Sequence, residues 1–254
     1  SCHPAQAATS FSSAADPFLI QGVESLMAAR AQAILPLAIV IGILSFAWTE
    51  LSLNFTFHWV TVEDEVLAGL GVPENFHLIL PTAFISWGLF FAAGGDNAAF
   101  GKIFLAICFG SVAALVTMPL AFETADLPDF WGIALWVGIF AFVLVAILIA
   151  GDWYYVAGTF PCFAAVFLWW IATGLDGWVP GEVSGTAASK SEQAALLAEG
   201  TPAGTGAALG LINTTWPWVW FSTFVSLVCG LVLGIVSGKV AAAVTPKPKS
   251  AEAA

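Results

Sequence analysis

Three histidines, four cysteines and seventeen carboxylates are the groups from which this sequence could build a metal centre, a nucleophile or a proton relay. Their spacing builds none of these. His3, His58 and His77 stand far apart, and Cys2, Cys108, Cys162 and Cys229 form neither a Cys-x-x-Cys pair nor a Cys/His pattern of metal-site spacing. No metal and no cofactor is expected, and His58 and His77 are read as polar residues at headgroup level. No nucleophile stands beside a base, so an enzyme is not expected. Without a basic strip or a phosphate-cradling loop, nucleic-acid binding has no support.

What does recur at chemically useful depth is neutral. Ser45, Thr82, Ser86, Ser111, Thr117, Thr159, Ser222, Thr223 and Ser226 fall inside long apolar stretches, whereas Glu50, Asp96, Lys102 and Asp152 stand only at their ends. An ionisable group in mid-membrane is costly and marks a proton or ion relay. Hydroxyls can line a passage for a small solute, but they also bond to their own helix backbone.

The elements that would position these groups follow from hydropathy. The chain is 59% hydrophobic and only 9% charged, with a mean hydropathy of +0.92. Six apolar stretches, near 30–49, 76–94, 99–121, 130–150, 154–174 and 210–237, approach the roughly 20 residues a helix needs to cross a bilayer. The expected fold is an all-α integral membrane protein of six transmembrane helices. A β-barrel would alternate apolar and polar residues, whereas "GIALWVGIFAFVLVAILIA" (132–150) is apolar on every face. The expected divisions are a tail with an interfacial helix over 1–29, the six-helix domain over 30–240 with outer loops 51–75 and 175–206, and a disordered cytoplasmic tail over 241–254. The opening "SCHPAQAATSFSSAADPF" has no basic segment leading into an apolar core, so it is not expected to be a secretory signal.

With six crossings, Arg30, Lys102, Lys239, Lys247 and Lys249 share one face, leaving only Lys190 on the other. The positive-inside rule makes the first face, with both termini, cytoplasmic. Most of the net charge of −11 then lies outside, around two sequons at Asn54 and Asn213. In "FFAAGGDNAAFGK" (90–102) two glycines, an aspartate and an asparagine interrupt the apolar run. Displaced by 80 positions, Pro81, Ala92, Gly94 and Asp96 match Pro161, Ala172, Gly174 and Asp176. Three helices separate the copies, so they run in opposite senses, the arithmetic of a 3+3 inverted repeat. The alternative is helix-end chemistry that recurs independently. In the last span Gly230, Gly234 and Gly238 form a smooth stripe for close helix packing.

Through Trp87, Phe90, Phe91, Ala92, Ala93, Gly94 and Gly95, and then Gly158, Thr159 and Phe160, the chain resembles a family of small, mostly bacterial inner-membrane proteins known as domain of unknown function ten-ninety-seven. The likeness covers about residues 34–238 apart from the loops. Its Ala-, Ser- and Pro-rich tails are also similar to those of algal low-CO2-inducible plasma-membrane proteins. That likeness implies a trimeric, channel-like carrier of CO2 or bicarbonate in the plasma (inner) membrane. The expected function is a channel or transporter for a small inorganic or neutral solute, its partners being the bilayer, the solute and further copies of the chain. Its pathway would run near Pro81, Trp87, Phe90, Gly94, Gly158, Thr159, Phe160 and Pro161. The alternative is a non-transporting accessory subunit of a larger membrane complex.

Overall fold

The computed structural model describes residues 17–60, 65–124, 127, 130–151, 153–173, 175 and 214–245. The first sixteen residues, all but Leu175 of the outer loop at 175–206, Gly174 and Asp176 of the repeat, Asn213 of the second sequon and the tail from Pro246 lie outside them. Among the described residues the protein is all-helical. Its helices are α1 (Pro17–Leu53), α2 (Glu65–Ala68), α3 (Leu80–Ala92), α4 (Asn97–Glu123), α5 (Trp131–Ala146), α6 (Val156–Ala172) and α7 (Trp216–Val244). Four of them, α1, α4, α5 with the 3-10 turn that extends it to Ala150, and α7, are long and apolar enough to cross a membrane. The other two apolar helices are shorter, α3 with 13 residues and α6 with 17. At about 1.5 Å per residue, neither reaches ~30 Å on its own.

The packing order is simple. The most extensive contacts run between α3 and α7 and between α4 and α6; α1 lies on α7, α5 lies on α4, α4 crosses α7, and α3 meets α6. Two apolar clusters result. One joins Met118, Leu144, Val166, Trp170 and Val219; the other joins Phe90, Ile103, Ile107, Leu227 and Leu231.

Several boundaries differ from the sequence reading. The expected interfacial helix runs without a break into the first span: α1 is 37 residues long. Ala, Leu, Met, Gln and Arg dominate "SLMAARAQA", all strong helix formers with nothing among them to stop the helix. Residues Gln21–Leu35 are exposed on every side. Part of the expected outer loop 51–75 is helical. It continues α1 as a π-helical turn, Asn54–Val60, with Thr56 and Val60 turned inward. At the far end α7 reaches Val244, taking in the first residues assigned to a disordered tail.

The break after α3 has a plain local cause. Gly95 N–H donates to Phe90 O at 2.9 Å and Gly94 N–H to Phe91 O at 3.1 Å. This is the Schellman pair that satisfies a helix's last carbonyls. It needs left-handed backbone, and Gly94 and Gly95 supply φ of 120° and 70°. Asp96 then caps α4, its Oδ1 accepting from Ala99 N at 2.7 Å.

Candidate functional site

The approach to α3 is the least expected part of the molecule. The residues just before Leu80 are not helical, although Phe76, Leu78 and Ile79 read as the start of a span. Backbone without helical partners is tolerated at membrane depth only where protein or trapped water satisfies it. Here side-chain hydroxyls do so. His77 N–H donates to Ser222 Oγ at 3.0 Å and Ile79 N–H to Ser226 Oγ at 2.9 Å. Thr56 Oγ1 both accepts from Leu78 N and donates to Leu78 O, at 3.1 and 3.0 Å. Trp48 Nε1 donates to Leu80 O at 3.3 Å and Thr214 Oγ1 to Asn75 O at 3.1 Å. Ser222 and Ser226, one turn apart on α7, thus hold an extended segment in place of a further helical turn. His77 is buried, its ring 6.1 Å from that of Trp169.

Two glycines let the short helices reach the long ones. A Cβ at Gly230 of α7 would collide with the Ala83 carbonyl and Ser86 Oγ of α3. One at Gly110 of α4 would stand 2.6 Å from Thr159 O and 2.7 Å from Phe163 N of α6. Gly234 likewise leaves room for the Phe90 ring, whereas Gly238 has nothing near it, so the expected stripe is a packing surface over two of its three members. At the first of these contacts Ser86 Oγ donates to Leu227 O at 2.6 Å, and Trp87 Nε1 to Ser237 Oγ at 3.0 Å.

Most of the hydroxyls at depth therefore have backbone partners. Thr117, Thr159 and Thr223 donate to carbonyls four residues back, at 2.8, 3.1 and 2.8 Å. Two of the buried ones do not: Thr82 Oγ1 and Ser111 Oγ have no hydrogen-bond partner among the described residues.

A cavity of about 700 Å³ opens beside α6. Its walls are Ile85 of α3, Ile133, Val137 and Ala141 of α5, and the face of α6 that runs from Phe160 and Pro161 to Leu168 and Ile171. Every lining residue is apolar.

The sequence-predicted pathway residues do not converge on one site. Phe160 and Pro161 line the cavity. Trp87 and Phe90 are buried where α3 meets α7, and Gly158 and Thr159 are buried in α6, Gly158 against Ala106 of α4. Pro81 is exposed on α3, and Gly94 belongs to the Schellman turn. The prolines also differ in kind. Pro81 stands in the first turn of α3, where a missing N–H costs nothing, while Pro161 is inside α6 and removes a ladder bond. Three residues escaped the sequence reading as positioning groups. The four-residue spacing of Ser222 and Ser226 was a usable signal for two of them; a lone Gly110 in an apolar run was not.

These features define an α-helical, membrane-embedded protein. Compared with known protein families, with curated proteins and with solved structures, the chain matches none. The family resemblance drawn from Trp87–Gly95 and Gly158–Phe160 thus remains an expectation.

Proposed function

We propose that the chain is a membrane channel or transporter for a small neutral solute, CO2 ahead of bicarbonate, built from six crossings in a 3+3 inverted repeat. The observation that carries this reading is the pair of short, proline-containing helices α3 and α6 in corresponding positions of the two halves. Segments of that kind flank the solute site near the midplane of transporters with inverted repeats.

The packing order supports the repeat. Exchanging α1, α3 and α4 for α5, α6 and α7 turns α3 on α7 into α6 on α4, and α1 on α7 into α5 on α4, which are the contacts present. The two glycines obey the same exchange, Gly110 receiving α6 as Gly230 receives α3. Buried positions of α4 and α7 also pair in step, as in Ala106 and Ser226, Ile107 and Leu227, Thr117 and Ser237, and Ala121 and Ala241.

The neutral polarity of the interior supports a neutral solute. Thr82 and Ser111 offer neutral hydroxyls, and Lys102 is exposed near the start of α4. A desolvated anion needs compensating charge or several donors, which favours a neutral molecule. The termini are cytoplasmic and the copies assemble as a trimer in the plasma membrane on this reading. Gln21–Leu35, exposed on every side of α1, favours the second reading, an accessory subunit that docks a larger complex through this helix.

Stopped-flow uptake into vesicles containing carbonic anhydrase tests the proposal, using sterol-rich lipid so that leakage through the bilayer is slow. The expected result is internal acidification by CO2 that is faster than in protein-free vesicles and insensitive to membrane potential. Rates equal to protein-free vesicles for CO2, bicarbonate and urea alike would overturn it.

A further inference from the structure

The cavity beside α6 is a different kind of space from a solute site in water. Its roughly 700 Å³ is bounded by side chains of α3, α5 and α6 with no polar group among them. Three of its lining residues, Phe160, Leu168 and Ile171, are 37%, 51% and 60% exposed. They belong at once to the cavity wall and to the outer surface of α6. On the neighbouring α5 only Gly132 and Leu144 are buried. In a membrane-embedded protein such an apolar outer surface is the lipid interface, and the cavity is continuous with it.

Size then decides between occupants. An apolar cavity of ~150 Å³ is enough for a benzene-sized guest, so this one is several times too large for a single dissolved gas molecule to fill. A void left open would forfeit dispersion contacts on every wall, and water finds no hydrogen-bond partner there. An elongated hydrocarbon from the adjoining bilayer meets both conditions.

We infer that the groove between α5 and α6, floored by Ile85 of α3, binds one acyl chain of a bilayer lipid. The chain lies along α6 from Phe160 to Ile171 and is held by apolar contact alone, with no headgroup specificity. This inference needs membrane embedding but not transport, so it stands or falls independently of the flux measurement.

The test is photolabelling of the full chain, reconstituted in phosphatidylcholine vesicles that contain a lipid with a diazirine in mid-chain, followed by peptide mapping. Label is expected severalfold denser on the groove-facing residues of α5 and α6 than on the exposed residues of α1. Ala164→Trp, at an exposed lining position, fills the groove from α6, and Ala141→Phe fills it from α5. Each is expected to remove the excess label while the protein still elutes as a folded species. Val112→Trp, on an exposed site of α4 outside the groove, is expected to leave it unchanged. Labelling no denser in the groove than on α1, groove labelling that both filling variants leave intact, or a groove shielded by a second copy of the chain overturns the inference.

Discussion

Ser222 and Ser226 show how a residue type that suggests solute contact can be spent on architecture. Each hydroxyl accepts a backbone N–H from the segment before α3, Ser222 from His77 and Ser226 from Ile79. Removing either oxygen leaves a buried donor without a partner, which costs about 1–3 kcal/mol. Ser222→Ala and Ser226→Ala are each expected to destabilise the protein by that amount in equilibrium unfolding from mixed micelles. Thr117→Ala, whose hydroxyl only doubles a bond to its own helix, is expected to cost less than about 1 kcal/mol. Equal effects at all three sites would refute this division of roles. Local chemistry of the GGDN break was legible in the sequence, because glycine and aspartate act within a few residues of themselves. Asp96→Ala is accordingly expected to cost about 1 kcal/mol, the usual value of a lost helix cap, measurable in the same unfolding experiment.

Helices α3 and α6 are held by steric fit to α7 and α4, and glycine makes the fit. Gly230→Ala and Gly110→Ala each place a methyl group against backbone atoms, which is expected to lower stability by about 1–3 kcal/mol through overpacking. Gly238→Ala meets open space and is expected to be neutral or slightly stabilising, since alanine is the better helix former by about 1 kcal/mol. A thermal-shift series in detergent separates these outcomes, and a Gly238→Ala penalty as large as the others would contradict the packing described. The series also marks where sequence reading stopped. All six apolar stretches contain a helix, because apolar length is a local property. That the chain before Leu80 is extended could not be read from Phe76, Leu78 and Ile79, which are as apolar as the helix they precede. Its conformation is set by serines about 145 residues further along. The glycine stripe was legible as a packing surface, but only coordinates could separate Gly230 and Gly234 from Gly238.

Over the whole molecule, the placement of ionised residues at the ends of the sequence's apolar stretches and the matching packing partners of α1, α3, α4 and of α5, α6, α7 lead to the same expectation. Six crossings, two of them the short helices α3 and α6, would conduct something small and neutral. The crossing of α3 and α6 is the step on which that depends, because neither helix is long enough by itself. Cysteine accessibility tests it most directly, in sealed vesicles and with the native cysteines replaced. The probe positions are Glu74→Cys, Ala98→Cys, Leu127→Cys, Trp153→Cys and Leu175→Cys, one for each connection between successive crossings, Ala98 lying in the first turn of α4 just after its connection. The account predicts that Ala98→Cys and Trp153→Cys react with an impermeant maleimide from one side only, and that Glu74→Cys, Leu127→Cys and Leu175→Cys react only from the other. Finding Glu74→Cys and Ala98→Cys, or Trp153→Cys and Leu175→Cys, on the same side would show that a short helix turns back without crossing, and would contradict it.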